Sequence, residues 1–148
     1  MFYIAICDDE QMDREQIQKL TQKICESEAI PIKIVCFENA QELFLSIRSG
    51  GGYYHLLLLD IIMPEQDGMA LARQLRQQEI KTSLIFISNS REMALKGYEV
   101  NAQRYLVKPI DESLLREGIL FCYKKYLNSC SILLPSDAGV RKVAPKDI

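Results

Sequence analysis

Four short apolar runs in this chain each stop at a side chain that can handle charge. FYIAIC at 2–7 stops at Asp8-Asp9, LLLL at 56–59 stops at Asp60, and SLIFI at 83–87 stops at Ser88. The run ending in Tyr105-Leu106-Val107 stops at Lys108-Pro109. Brought to one place, Asp8, Asp9 and Asp60 repel one another and require a cation. An all-oxygen set without His or Cys favours a hard ion such as Mg²⁺, which keeps several waters. An ammonium and a hydroxyl beside that ion complete a site for a phosphoryl group, whose charge lies on its peripheral oxygens. The middle carboxylate, Asp60, can then act as nucleophile and form an aspartyl phosphate. Taken singly, each residue has a plainer reading: a strand-terminal Asp or Ser caps a turn, and a lone Lys is a solvated charge. Only convergence on one spot carries the chemistry.

The elements around these residues supply that convergence. Phe2 to Cys7 reads as a buried strand, and Ile17, Leu20 and Ile24 fall at helical spacing within about 12–28. Pro31 opens a second strand, Ile32 to Phe37, and Asn39 is placed to cap a helix carrying Ala40, Leu43, Phe44 and Ile47. Ser49-Gly50-Gly51-Gly52 stops that helix; the triplet lacks the GK[ST] ending of a phosphate-binding loop. Leu56 to Leu59, apolar at every position, suits a strand covered on both faces. Pro64 and Asp67-Gly68 form a turn, Ala70 to Gln78 a third helix, and Ser83 to Ile87 a fourth strand. A short helix around Glu92 to Tyr98, a strand over Gln103 to Val107 and a final helix over about 111–127 follow, with Cys122 and Tyr126 on its apolar face. Five strands alternating with five helices predict an α/β fold, a parallel sheet covered on both faces. Right-handed crossovers restrict it to doubly wound forms, in which ligands bind beyond the carboxyl ends of the strands.

Composition narrows the alternatives. The 148 residues amount to about one domain, with 48% hydrophobic and 26% charged residues, enough for a core without disulfides or a structural metal. Eighteen basic and twenty acidic side chains leave a charge of −2, so the chain as a whole has no basic character with which to hold nucleic acid. No apolar run approaches the ~20 residues that span a bilayer, and the opening MFYIAICDDE lacks the basic start of a signal peptide. Five cysteines (Cys7, Cys25, Cys36, Cys122, Cys130) without a CxxC pair point to reduced thiols and a cytoplasmic setting. The single histidine, His55, leaves little for histidine-ligated zinc or a Ser-His-Asp triad. His55 lies about five residues before Asp60, roughly 16 Å at strand rise, so it should not reach the site.

With CDDE at 7–10, LLLLDIIMPEQDG at 56–68, FISNS at 86–90 and YLVKPI at 105–110, the chain resembles the receiver domain of two-component response regulators over about residues 2–127. That resemblance implies a CheY-like (flavodoxin-like) sheet of order 2-1-3-4-5 with five helices. It implies that Asp60 is the phosphoacceptor and that Asp8 and Asp9 hold Mg²⁺, Asp9 the more directly, with the backbone carbonyl of Ile62. Ser88 resembles the switch hydroxyl, Tyr105 the aromatic that moves with it, and Lys108 the ammonium on the phosphoryl oxygens, followed by a cis bond to Pro109. It further implies a sensor histidine kinase as phosphoryl donor, no substrate turnover, and dimerisation on activation through the face of the fourth helix, fifth strand and fifth helix. Ile62 and Ser90 sit where receivers differ widely; an apolar Ile62 would hinder the attacking water.

Two finer likenesses concern the output. YEVNAQRYLVKPI at 98–110 is similar to receivers that precede LytTR-type DNA-binding domains, and SILLPSDAGVRKVAPKDI at 131–148 is similar to the first strands of such a domain. This divides the chain into a receiver, 1–127, and a linker with the truncated start of a LytTR-like domain, 128–148, whose Ser131 to Leu134 opens a hairpin. DNA would then be bound only through that further domain, and no membrane is involved. Two rivals remain beside this reading. A Mg²⁺-dependent phosphohydrolase with an Asp nucleophile would carry its carboxylates as DxD on the first strand, whereas Asp8 and Asp9 are adjacent. An interaction module that is never phosphorylated would have lost the acidic pair, the acceptor or the lysine, and this chain keeps all three.

Overall fold

The computed structural model describes residues 1–49, 53–61, 68–89 and 99–132, with 130–132 in backbone only. Its elements are β1 (Phe2–Cys7), α1 (Gln11–Ser27), β2 (Ile32–Phe37), α2 (Ala40–Arg48), β3 (Leu56–Leu59), α3 (Gly68–Gln77), β4 (Ser83–Ser88), β5 (Arg104–Val107) and α4 (Glu112–Ile132). The strands form one sheet of order β2-β1-β3-β4-β5, parallel throughout. This is the doubly wound α/β architecture expected. The helix expected around Glu92 to Tyr98 lies outside the described residues, as do Gly50-Gly51-Gly52 and Pro64.

The period of two along each strand splits the core into two layers. Ala5, Cys7, Leu57, Leu59, Leu84 and Phe86 face α2 and α3. Phe2, Ile4, Ile6, Leu56, Leu58, Ile85 and Ile87 face α1 and α4. Because β1, β3 and β4 lie inside the sheet, their residues are buried on both faces, apart from the half-exposed Tyr3. That is why those segments read as continuous apolar runs.

Local chemistry ends the helices. The Asn39 side chain accepts from Glu42 N at 2.8 Å and caps α2 as expected. Helix α1 closes with Ala29 at φ 58° and Ile30 N donating to Cys25 O at 2.9 Å; α3 closes alike, with Glu79 at φ 61° and Ile80 N on Leu75 O at 2.9 Å. From the last turn of α3, the Arg76 guanidinium donates to the carbonyls of Ile80 (2.8 Å), Thr82 (2.9 Å), Val100 (2.6 Å) and Asn101 (3.4 Å). It thereby fixes the approach to β5.

The C-terminal helix departs from expectation. It continues through Ile132, so Ser131 and Ile132, read from sequence as the start of a hairpin strand, are helical. Between Pro109 and Pro135 the chain holds no proline, and extending an existing helix gains one hydrogen bond per residue fixed. Helix α4 is held against α1 by Arg116 on Glu28 (2.7 Å) and Lys23 on Glu112 (3.1 Å).

Candidate functional site

The sheet places its chemistry at the carboxyl ends of β1, β3, β4 and β5. Register decides the neighbours: Cys7 lies abreast of Leu59, so Asp8 and Asp60 follow side by side. Ladder hydrogen bonds continue past the strands, from Asp8 N to Phe37 O (3.2 Å), Asp60 N to Cys7 O (3.0 Å) and Lys108 N to Ser88 O (2.9 Å). These fix four polar residues on a rigid edge at the switch point between β1 and β3.

Carboxylate oxygens of Asp8, Asp9 and Asp60 all lie within 4.8 Å of one another, with Asp8 and Asp60 buried. Lys108 Nζ reaches into the group and donates to Asp8 Oδ2 at 2.9 Å, Asp13 Oδ2 at 2.8 Å and Asp60 Oδ2 at 3.3 Å. The second oxygen of Asp8 accepts from Glu10 N at 2.9 Å, and its carbonyl accepts from Arg14 Nη1 at 2.8 Å. Three clustered carboxylates with oxygen donors alone suit a hard divalent cation, and the rigid strand ends that hold them favour one site over a loose acidic patch.

The electrostatics are those of a concentrated negative field. Burial by itself would lower the Lys108 pKa; the hydrogen bonds it donates to Asp13 and Asp8 and the charge of Asp60 reverse that and hold it above the ordinary lysine value. Cys7, one residue before the acidic pair, has its thiol pushed up to about 12 by burial and then by Asp8, Asp60 and Asp9. It is a neutral core side chain, and no thiolate chemistry follows from it. Ser88 Oγ is fully buried and has no hydrogen-bond partner among the described residues. A buried hydroxyl costs free energy unless it finds a partner, so Ser88 Oγ is a donor available to an acceptor placed at these strand ends.

Tyr105 sits opposite Phe86 in the sheet register, half-buried against the α2–α3 layer, with ring centroids 6.2 Å apart. The Lys108–Pro109 peptide bond is cis. The structure therefore brings Asp8, Asp9, Asp60 and Lys108 together through side chains and Ser88 beside Lys108 through the backbone. Ile62 and Ser90 lie outside the described residues. His55 stands at the opposite end of the sheet, where its Nδ1 accepts from Tyr3 N at 3.0 Å and its ring packs on Phe2 and Tyr126. Among the described residues no helix is long and apolar enough to cross a membrane.

Three features escaped the sequence reading. Asp13 supplies the shortest contact to Lys108, but an acid in the first turn of a helix ordinarily reads as complement to the helix dipole. Arg14 holds the Asp8 carbonyl. Gly68, read as a turn former, is required by close approach: a Cβ there would fall on the Asp60 carbonyl oxygen. That spacing of eight residues after Asp60 was the available signal, and it needed the fold to be interpreted.

A doubly wound parallel sheet of order β2-β1-β3-β4-β5, with an acidic triad, a lysine and a serine at its strand ends, is the architecture of a receiver-type module. The chain belongs to the response regulator receiver domain family, whose model matches residues 4–120. Among its relatives, the sensory transduction protein LytT of Bacillus cereus is 29% identical over 126 residues, 85% of this chain and 47% of that protein. The transcriptional regulatory protein BtsR of Escherichia coli is 31% identical over 150 residues, 98% of this chain and 58% of that protein. The chain thus spans about half the length of the curated relatives it matches. Its fold is similar to the response regulator TrrA of Thermotoga maritima, crystallised in complex with Mg²⁺–BeF, at a TM-score of 0.70 and 26% identity, covering 82% of this chain and 99% of that one. Receiver domains are signalling modules rather than substrate-turnover enzymes, and they belong to regulators that histidine kinases phosphorylate.

Proposed function

We propose that this chain is a phosphorylated receiver: it takes a phosphoryl group from a sensor histidine kinase onto Asp60 and so switches the output of a transcription regulator. The observation that carries this reading is the pairing of Lys108 Nζ with Asp60 and Asp8 beside the buried Ser88 Oγ, which has no partner among the described residues. In the transfer, an Asp60 carboxylate oxygen bonds to phosphorus as the donor's P–N bond breaks, and the imidazole leaves with its electron pair. Lys108 donates to one peripheral oxygen and Ser88 Oγ to another. Asp8, Asp9 and Asp60, with the carbonyl of Ile62, would hold Mg²⁺, which when bound neutralises charge on the phosphoryl oxygens. Tyr105, next but two before Lys108 on β5, is the side chain that would report the rearrangement of Ser88.

For the output we propose a LytTR-type DNA-binding domain following this receiver, the chain beyond α4 leading into it. The coverage of LytT and of BtsR supports this. Activation would pair two receivers through β5, α4 and the segment at 92–98. Exposed Leu114 and Phe121, seven residues apart on α4, with the Arg104 guanidinium 4.5 Å over the Phe121 ring, suit such a face.

The test is intact-mass analysis after incubation with Mg²⁺ and acetyl phosphate. One phosphoryl adduct on the wild type, absent from Asp60→Asn, is expected. An unmodified wild type, or an adduct that persists in Asp60→Asn, would overturn the assignment.

A further inference from the structure

An ammonium has three N–H donors. In this structure Lys108 commits all three to carboxylates, at 2.8 Å to Asp13, 2.9 Å to Asp8 and 3.3 Å to Asp60. The function proposed above, on which this inference rests, requires Lys108 to donate to a phosphoryl oxygen on Asp60. One carboxylate must then yield its bond. The long 3.3 Å contact to Asp60 passes to the phosphoryl group that Asp60 carries, and tightening it draws the ammonium off Asp8 or Asp13; Asp8 is fully buried and fixed through its other oxygen by Glu10 N. Asp13 differs from both. It sits on α1 rather than on a strand end, its side chain is 37% exposed, and it borders a cavity of about 370 Å³ shared with Gln16, Asn89 and Lys108. Its carboxylate has room to turn away.

We propose that Asp13 is a positioning residue that competes with the phosphoryl group for Lys108 and so weakens the phosphorylated state. A contact made in full only in one state biases the equilibrium toward that state by its own free energy. The Asp13 charge adds to this, because an arriving phosphoryl dianion meets a carboxylate already on the ammonium it needs. Both effects have the same sign. Removing the charge at 13 should favour the phosphoryl-bound state, whereas removing a charge elsewhere on α1 should not. Glu15 offers that comparison: it is exposed, bonds Gln11 at 2.9 Å and makes no described contact with Lys108.

The experiment titrates Mg²⁺-loaded wild type, Asp13→Asn, Asp13→Glu and Glu15→Gln with beryllofluoride by NMR, with thermal unfolding run on the same samples. Asp13→Asn should bind more tightly, by roughly 1.4-fold to about fivefold, the range that partly exposed ion pairs set. Asp13→Glu and Glu15→Gln should stay near the wild type. An affinity of Asp13→Asn equal to or below that of the wild type, or an equal gain in Glu15→Gln, would overturn the proposal. A merely structural role for Asp13 would lower the melting temperature without tightening the ligand, which also counts against it. If the wild type itself takes neither beryllofluoride nor a phosphoryl group, the receiver function fails first, and the outcome is distinct from failure of the competition alone.

Discussion

Replacing Lys108 by Met isolates what one ammonium does for three carboxylates. The lysine side chain is 10% exposed; its partners Asp8 and Asp60 are buried, while Asp13 remains partly in water. Removing one partner from a buried pair typically costs about 3–5 kcal/mol, because the charge left behind is uncompensated. Asp13 adds little at its exposure, about 0–1 kcal/mol. Glu10 N still satisfies one Asp8 oxygen, so the lower end, about 3 kcal/mol, is expected in metal-free buffer. The sign with pH follows from the raised lysine pKa. The stabilisation is fully present below the ordinary lysine value of about 10.4 and is lost only as pH rises through the higher folded value. Between about pH 6 and 9 the lysine's contribution should therefore be flat. A divalent cation should partly replace the ammonium: if affinity rises from about 1 mM to about 0.1 mM, 10 mM Mg²⁺ adds roughly 2.7 kcal/mol to the variant against roughly 1.4 kcal/mol to the wild type. Urea unfolding followed by far-UV circular dichroism, in EDTA and in Mg²⁺, reads both effects. A variant within about 1 kcal/mol of the wild type in EDTA, or a gap that Mg²⁺ leaves unchanged, would refute the reasoning.

Three further outcomes follow from the same geometry. Asp60 has the longest of the three bonds to Lys108, so Asp60→Asn loses little attraction and relieves repulsion with Asp8 and Asp9; its melting temperature in EDTA should exceed the wild type's. Gly68→Ala should lower stability by about 1–3 kcal/mol in urea titration and weaken Mg²⁺ binding, since the new methyl displaces the Asp60 backbone. His55 is held down to a pKa of about 4, first by burial and then by the N-terminal charge. Since the unfolded histidine titrates near 6.5, stability should fall as pH drops from there toward 4, and the single histidine's NMR signals should stay unshifted until pH approaches 4.

How much of this was legible depended on whether a residue's role is written in its own neighbourhood. The strands were, because Leu56 to Leu59 and Ser83 to Ile87 are apolar on both parities. So was the α2 cap at Asn39. The triad was legible at one remove: parallel strands abreast put Asp8 beside Asp60 once Cys7 is aligned with Leu59. What could not be read joins distant segments. Arg76 acts on carbonyls at 80, 82, 100 and 101, none of which carries a side-chain signature of being bonded. Asp13 is separated from Lys108 by 95 residues. The end of α4 misled for another reason: Ser131 and Ile132 read by composition as strand, but a helix already in progress extends more cheaply than a two-stranded ribbon begins.

The lysine's position also constrains how a signal could leave this site. Asp8, Asp13 and Asp60 share one ammonium, so any anion that draws on Lys108 must redistribute bonds already made. Lys108 N is itself bonded to the Ser88 carbonyl, and Ser88 Oγ is the one buried hydroxyl at the strand ends that the described residues leave unpartnered. A group bound at Asp60 therefore acts on β4 and β5 together, and on β1 only through Asp8, which is locked by Glu10 N and Arg14. Tyr105 and the exposed face of α4 lie behind the β4–β5 side of the site, and on the β1–α1 side Asp13 is the partly exposed partner of Lys108. On the proposed function, that asymmetry sends the phosphoryl signal toward β5 and α4, and leaves α1 to set how readily the phosphoryl group is accepted.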